Sequence, residues 1–326
     1  MTTLITGATG FVGAAVARRV LAEGRPVRAL VRHDSDRSNI EGLDVAVVEG
    51  DLTDAASLAE AVHGCKSVFH VAADYRIWCP DPAAMMATNV EGSRALMRAA
   101  AEAGVQRAVY TSSVATIMPH ADGTPADENT PSSVDNMIGS YKRSKYLAEQ
   151  VVLAVAEETG LEVVVVNPST PVGPRDIRPT PTGRLIRDAA AGRVPAYVET
   201  GLNIVHVDDV ADGHWLAHKR GNVGRRYILG GENMSLRKIL STVTRLAGRR
   251  PPTLQLPNPL AMGIAHMSEA VARLTGREPM ATMDGVRMAR HKMYFSSRRA
   301  CDELGYAPRP AHEALADAVA WFSKGG

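Results

Sequence analysis

The first thirteen residues restrict the fold more than any other part of the chain. Leu4-Ile5-Thr6 is a short apolar, β-branched run, and Thr6-Gly7-Ala8-Thr9-Gly10-Phe11-Val12-Gly13 follows it directly. The spacing is G-x-x-G-x-x-G at a strand-to-helix junction. Gly7 permits a tight turn off the strand, Gly10 lets backbone approach a pyrophosphate, and Gly13 lets the helix pack closely on the sheet. The helix that follows offers unpaired N–H groups and the positive end of its dipole to phosphate oxygens. A glycine triplet alone would signify packing; the strand before it and the helix after it make this one a dinucleotide fingerprint. No Gly-Lys-Ser/Thr follows, which disfavours a nucleoside-triphosphate loop.

The rest of the chain repeats that alternation. Apolar runs recur at Leu4–Thr6, Val27–Val31, Val45–Val48, Ser67–Ala72, Ala108–Thr111 and Val163–Val166. Continuous runs of this kind suit strands buried on both faces of a parallel sheet. Helical patterns lie between them at Phe11–Ala22, Asn89–Ala103 and Tyr141–Thr159. The order predicts an α/β fold with a doubly wound parallel Rossmann sheet. Breaker-rich stretches at 167–174 and 179–183 mark a change of composition. Helical patterns at Gly183–Ala191, Ser235–Ala247, Ala261–Thr275 and Ala311–Phe322 then predict a smaller, mainly helical C-terminal substrate domain. The expected division is 1–166 for the dinucleotide domain, with 167–202 and 230–326 for the substrate domain. Residues 203–229 are expected to return to the first domain, because Ile204–Asp209 reads as a further strand with a cap.

With 326 residues, 45% of them hydrophobic, the chain can bury one large or two moderate cores. A formal net charge of +2 gives no reason to expect nucleic acid as a partner. Cys65, Cys79 and Cys301 are too scattered for a disulfide framework or a zinc ribbon, which suits a reducing compartment. No apolar run approaches the roughly 20 residues needed to span a bilayer. The opening strand leaves no room for a signal peptide, so the expected location is cytoplasmic.

The end of the second strand bears on which dinucleotide binds. NAD binders place an acid there to grip the ribose 2′-hydroxyl. This chain has Val31, Arg32 and His33. The planar, charged fork of Arg32 suits the 2′-phosphate of NADP(H), with NAD(H) the alternative. An ordinary surface arginine is the plainer reading, since Arg25, Arg28 and Arg37 lie nearby. Asp51-Leu52 is expected beside the adenine, and Ala72-Ala73 beside the nicotinamide ribose.

Tyr141-Lys-Arg-Ser-Lys145 sets a tyrosine and a lysine on one helix face. A free tyrosine, with a pKa of about 10, is a poor proton donor and acceptor at neutral pH. A nearby ammonium favours the phenolate, so Lys145 is expected to lower that pKa and to hold the nicotinamide ribose. A serine at the neighbouring strand end would hydrogen-bond the substrate oxygen as its charge changes. Ser113 is favoured for this by position over Ser112.

Thr6–Gly13, Asp51-Leu52, Asn89-Val-Glu-Gly92, Thr111-Ser-Ser113 and Tyr141–Lys145 occur in an order that resembles the extended short-chain dehydrogenase/reductases of the NAD-dependent epimerase/dehydratase superfamily. The resemblance implies catalytic Ser113, Tyr141 and Lys145, with a supporting role for Asn89. It implies cofactor contacts from Gly7, Thr9, Gly10, Phe11, Val12, Gly13, Arg32, Asp51, Leu52, Ala72, Ala73, Tyr141, Lys145 and Pro168. It also implies a homodimer through the helices predicted at Asn89–Ala103 and Tyr141–Thr159.

Asn167–Pro181, Gly201–Asp209 and Tyr227–Asn233 look like the hopanoid-associated sugar epimerase group, which is similar to dihydroflavonol 4-reductases. Sugar-nucleotide epimerases usually continue the serine strand with Tyr-Gly, where this chain has Ile117-Met118, and they keep the acid replaced here by Val31-Arg32. Both departures favour an NADP(H)-dependent carbonyl reductase acting on a small molecule. The alternative is a sugar or sugar-nucleotide epimerase with a tightly held NAD(P).

Other features carry plainer readings. His214 and His218 are spaced for a metal pair, but no glutamate or third ligand accompanies them, and no metal is expected. Asp208-Asp209 reads as a helix N-cap. The methionines of Ala261–Met267, with Met280, Met283, Met288 and Met293, read as core or adaptable pocket lining, hinting at an apolar substrate. Arg175, Arg178 and Arg184 could meet an anionic substrate or simply face solvent.

Overall fold

In the computed structural model, which describes residues 1–79, 81–276 and 279–324, the first half of the chain alternates strand and helix. The elements are β1 (Thr2–Thr6), α1 (Phe11–Ala22), β2 (Val27–Val31), β3 (Val45–Glu49), α2 (Ala55–Val62) and β4 (Cys65–His70). Next come α3 (Pro82–Met86), a π-turn at Ala87–Glu91, α4 (Gly92–Glu102), β5 (Arg107–Thr111), α5 (Gly139–Thr159) and β6 (Glu162–Pro168). The helix expected from Asn89 therefore starts earlier, at Pro82, and Asn89 sits in its π-turn.

The second half holds β7 (Thr170–Val172), α6 (Pro181–Ala190), β8 (Ala196–Tyr197), β9 (Gly201–His206), α7 (Val207–Arg220) and β10 (Arg226–Leu229). It continues through β11 (Glu232–Ser235), α8 (Leu236–Leu246), β12 (Leu254–Gln255), α9 (Asn258–Thr275), α10 (Met283–Met288) and α11 (Ala311–Ser323).

Seven parallel strands form the main sheet in the order β10-β6-β5-β4-β1-β2-β3. The order reverses beside β1, between β2 on one side and β4 on the other. Such a reversal opens a crevice at the carboxyl ends of the strands, where ligands bind in open α/β sheets. Val16 and Val20 of α1 and Val210 and Trp215 of α7 pack on one face of the sheet. Leu58, Leu96, Met97 and Val152, from α2, α4 and α5, pack on the other. Sandwiching of this kind explains why these strands are apolar throughout rather than alternating.

The strand at Ile204–Asp209 exists, but not where the sequence suggests. It is β9, which pairs with β11 (antiparallel) and β7 (parallel) in a separate three-stranded sheet. It is β10 that joins the main sheet, beside β6. A strand's apolar pattern fixes that it is buried but not which sheet buries it. The cap differs as well: the His206 side chain accepts from the Asp208 N–H, and Asp208 and Asp209 occupy the first turn of α7. A third core of Ile186, Ile239, Leu240 and Leu315 joins α6, α8 and α11.

His214 and His218 serve the sheet. His214 Nδ1 is 2.7 Å from the Val210 carbonyl and Nε2 is 2.8 Å from Thr111 Oγ1. His218 pairs with Ser67 at 2.8 Å and stacks on Trp215. Among the described residues, no helix is long and apolar enough to cross a membrane.

Candidate active site

The crevice is lined first by backbone. Gly7 has φ +71°, a left-handed conformation that disfavours any side chain. Its carbonyl accepts from the Gly10 N–H at 2.9 Å. A Cβ on Gly13 would stand 2.0 Å from the Gly7 oxygen, and one on Gly7 would stand 2.7 Å from the Ala72 nitrogen. The β1 turn, the first turn of α1 and the chain leaving β4 therefore meet at contact distance. Gly10 caps α1 without any side-chain hydrogen bond, so the first N–H groups of the helix are left for a ligand. Phe11 and Val12 direct their side chains to the core, which leaves their backbone as the part able to meet a phosphate. Asn39 Nδ2 ties the loop down at the Thr9 carbonyl, 3.1 Å away. An uncapped helix start and a glycine floor too tight for Cβ atoms fit a dinucleotide pyrophosphate.

The other expected cofactor residues lie at or just beyond the carboxyl ends of β2, β3, β4 and β6. Arg32 follows β2 with its side chain 61% exposed, and Asp34 is 3.8 Å away. Burial works to raise the Asp51 and Asp74 carboxyls, but hydrogen bonds from Thr53 and Arg76 hold them below their ordinary range, with a smaller contribution from the Arg32 charge. Asp51 accepts from Thr53 N and Oγ1 at 2.8 and 2.6 Å. Leu52 is buried against α4, where a Cβ on Gly92 would come within 2.8 Å of it, so its side chain belongs to the core. Ala72 N donates to Thr6 Oγ1 at 3.1 Å. Ala73 is half-buried in the following loop, and Pro168 is buried at the end of β6.

The adjacent serines point to different tasks. Ser112 is buried, and its hydroxyl donates to Glu149. Ser113 is half-buried, accepts from Ala115 N at 3.1 Å, and stands close enough to Tyr141 to act on its phenol. Burial pushes the Tyr141 phenol up from its ordinary value, and the Ser113 hydroxyl pulls it down. The direction is upward, against the expected lowering by Lys145. The reason is where the ammonium goes: Lys145 Nζ donates to the Thr111 carbonyl at 2.8 Å and to Tyr110 Oη at 3.3 Å. Burial lowers Lys145 itself to about 8.

A network in which the sequence singled out Asn89 alone supports these groups. Thr6 Oγ1 is 2.8 Å from His70 Nδ1, and His70 Nε2 is 2.8 Å from Ser93 Oγ. Burial, with the Lys145 charge nearby, drives His70 down to about 3, so it is neutral at physiological pH. Asn89 clamps the loop after β4, accepting from Asp74 N at 2.7 Å and donating to Asp74 O at 2.9 Å. Its Nδ2 also reaches Ser144 Oγ at 2.9 Å, one turn from Tyr141. Glu149 accepts from Ser112, Thr116 and Asn167 and pairs with Arg226 at 3.2 Å. Each of these contacts joins segments far apart in the chain, so no local spacing could have revealed them.

Beyond Tyr141 lies a second unannounced group. Tyr75 is near enough to act electrostatically on Tyr141, while Asp176 and Arg184 act on Tyr75 in turn. Asp176 is 2% exposed, and accepts from Thr180 N at 3.1 and 3.0 Å and from Thr180 Oγ1 at 2.9 Å. Burial raises its carboxyl to about 6 against those hydrogen bonds and the Arg184 charge. The three loop arginines diverge. Arg175, in the left-handed region at φ 73°, pairs with Asp208, and Arg178 lies 3.9 Å from Asp36.

This architecture is that of a nucleotide-dependent α/β enzyme, and comparison with known proteins makes the class definite. The chain belongs to the NAD dependent epimerase/dehydratase family, which matches residues 3–230. It is an NAD(P)-dependent oxidoreductase of that family. It is 46% identical, over 99% of its length and 94% of the relative's, to a Synechocystis protein whose dihydroflavonol 4-reductase name is provisional. It is 37% identical to sterol demethylase protein B of Methylococcus capsulatus, over 100% of this chain and 99% of that one. The crystal structure of gox2253 shares 55% identity and a TM-score of 0.90, covering 100% of this chain and 98% of that one.

Proposed function

We propose that the protein is an NADP(H)-dependent carbonyl reductase in which Tyr141 delivers the proton. The observation that carries this reading is that Ser113 stands close enough to Tyr141 to act on its phenol, with Lys145 one helical turn further along. When bound, the nicotinamide supplies the hydride for the carbonyl carbon. Tyr141 gives its phenolic proton to the carbonyl oxygen, and its burial keeps that proton in place until the oxygen gains charge. Ser113 steadies the same oxygen. One of its lone pairs is used by Ala115 N, which fixes the hydroxyl beside Tyr141. Lys145, a cation at neutral pH held by Thr111 and Tyr110, would orient the ribose. Gly7, Gly10, Gly13 and the N–H groups opening α1 would hold the pyrophosphate. Arg32, 61% exposed with the Asp34 carboxylate 3.8 Å away, would meet the 2′-phosphate.

The test pairs two variants. Tyr141→Phe should lose at least ~100-fold in turnover with its nucleotide affinity intact. Arg32→Ala should lower the preference for NADPH over NADH by roughly 10- to 150-fold, the worth of a charge-assisted hydrogen bond. Wild-type turnover in Tyr141→Phe would reject the proton role. A native preference for NADH, or a nucleotide too tight to strip, would favour an epimerase that recycles its own cofactor. The half-buried Leu147, Val151 and Leu153 of α5 also support a homodimer through α4 and α5, which sedimentation would test.

A further inference from the structure

Most buried charges in this protein are answered by a partner. Lys145 donates to Thr111 and Tyr110, Glu149 pairs with Arg226, and Asp209 pairs with Arg309. Glu128 and Glu269 accept from the N–H groups of Ile228 and Met283. Lys142 has no such answer. It is 7% exposed, so its stem does not carry the ammonium out to water. The contact its Nζ makes is with Met293 Sδ at 4.0 Å, a weak and neutral acceptor. Among the described residues no carboxylate pairs with it, and burial alone lowers it to about 8, which leaves it a cation at neutral pH. Lysine is almost never buried unpaired, because taking an ammonium out of water is costly. Its place on α5 adds to that cost: it lies in the first turn, where the positive end of the helix dipole disfavours a cation. The acid that reaches this end of α5, Asp284, stands beside Gly139 and is paired with Arg287 at 3.1 Å.

Lys142 follows Tyr141 in the chain and shares its side of the helix. At 100° per residue Tyr141, Lys145 and Lys142 span about 100° of arc, with Lys142 on the flank away from Ser144. Met293 ties that flank to the serine strand end: it packs on the cluster of Val114, Ile117 and Phe295, and Val114 directly follows Ser113. Met293 N donates to the Gly201 carbonyl at 2.9 Å, so Lys142 stands in the seam between α5 and the β9 sheet. Small molecules bind preferentially in seams of this kind. The methionines read from sequence as core or pocket lining divide accordingly. Met280 is exposed, and α9 turns Leu260, Ile264, Met267, Val271 and Leu274 outward, whereas Met293 lines this seam.

One isolated cation matches a monovalent anion. A phosphate dianion would leave half its charge unanswered, since no second charge acts on Lys142. We propose that Lys142 binds the carboxylate of an oxo-acid substrate whose carbonyl oxygen meets Tyr141. The ammonium donates to the carboxylate oxygens in a pair formed out of water, where such hydrogen bonds are strongest. Lys142 thereby selects and positions the substrate, while the hydride and the proton move as in the reductase reading. The placing of the carbonyl rests on that reading; the carboxylate site does not.

The experiment is calorimetric titration of the full chain, with saturating NADP⁺, by 2-oxo-4-phenylbutanoate, 4-oxo-4-phenylbutanoate and the methyl ester of each. At least one acid should bind the wild type at least ~10-fold more tightly than its ester, the worth of a charged hydrogen bond. Lys142→Met, which puts an uncharged side chain in place of the ammonium, should bind acid and ester within about 2-fold of each other. It should melt no lower than the wild type, since the unpaired buried cation is gone. Lys142→Arg should keep the preference for the acid. Esters that bind the wild type as well as their acids would overturn the proposal, and so would an acid preference that survives in Lys142→Met. Oxidation of NADPH is followed separately: acid-selective binding with no ketone reduced would reject the reductase and leave the carboxylate site standing.

Discussion

At the Gly7–Gly13 end of the crevice the surface offered to a ligand is almost wholly backbone, whereas at the Tyr75–Asp176 end it is side chain. The first end is written within seven consecutive residues, because only glycine tolerates a carbonyl 2.0 Å from where a Cβ would sit. The second collects Tyr75, Ser113, Tyr141, Asp176 and Arg184 from separate stretches of the chain. A site made of backbone constrains residue type locally, so it can be read in the sequence. A site made of side chains constrains only where distant segments meet.

That contrast can be broken most forcefully at Gly13. Gly13→Ala forces a methyl onto the Gly7 carbonyl, and overpacking of this kind costs about 1–3 kcal/mol or more. We expect NADPH affinity to fall about 100-fold, which is about 3 kcal/mol, with a lowered melting temperature. Unchanged binding and melting would mean that the glycine floor is not what fixes the loop.

Acid should separate the two ends by sign. His70, at the glycine end, has its pKa depressed from 6.5 to about 3, so below pH 6.5 the unfolded chain binds a proton that the folded one does not. Its contribution to stability is whole above pH 6.5 and is lost as pH falls, by about 2 kcal/mol at pH 5. His214, lowered to about 4, adds a loss of the same sign. Asp176, raised from 3.8 to about 6, works the other way, and the fold gains about 1 kcal/mol from it over the same interval. Urea unfolding at pH 7 and pH 5 should therefore show a net loss, and His70→Gln should shrink it. An equal loss in that variant would place the titrating group elsewhere.

The smallest effect sharpens the comparison at the other end. Asp176→Asn keeps the shape of the side chain but removes the group that gains a proton, so its acid loss should exceed the wild type's by about 1 kcal/mol. The same change should raise the KM of a ketone substrate about 10-fold while NADPH affinity holds, since Asp176 faces Tyr75 rather than the glycine floor. Parallel losses of cofactor and substrate affinity would show that the two ends are one site.

Several elements were legible because their cause is local. α1 runs over Phe11–Ala22 as its periodicity indicates, and β2 over Val27–Val31. The four-residue spacing of Tyr141 and Lys145 marks one helix face, and α5 carries both. Other features were not legible because their cause is remote. Nothing near Ile204 specifies pairing with Glu232 rather than with the main sheet. The Lys145 ammonium was expected to act on Tyr141, yet Thr111 and Tyr110 on β5 hold it. His70, Asn89 and Glu149 acquire their partners only when β4, α5 and the helix through the π-turn are packed.

The order of apolar runs, the glycine spacing and the strand-to-helix punctuation were enough to specify a doubly wound sheet with a tight glycine turn at the end of β1, because backbone sterics and burial act over a few residues. Which serine faces Tyr141, which carboxyls are buried, and that α9 turns its large side chains outward were decided by long-range packing. A helical stripe looks the same in sequence whether it meets a core or faces solvent, and only the folded chain determines which.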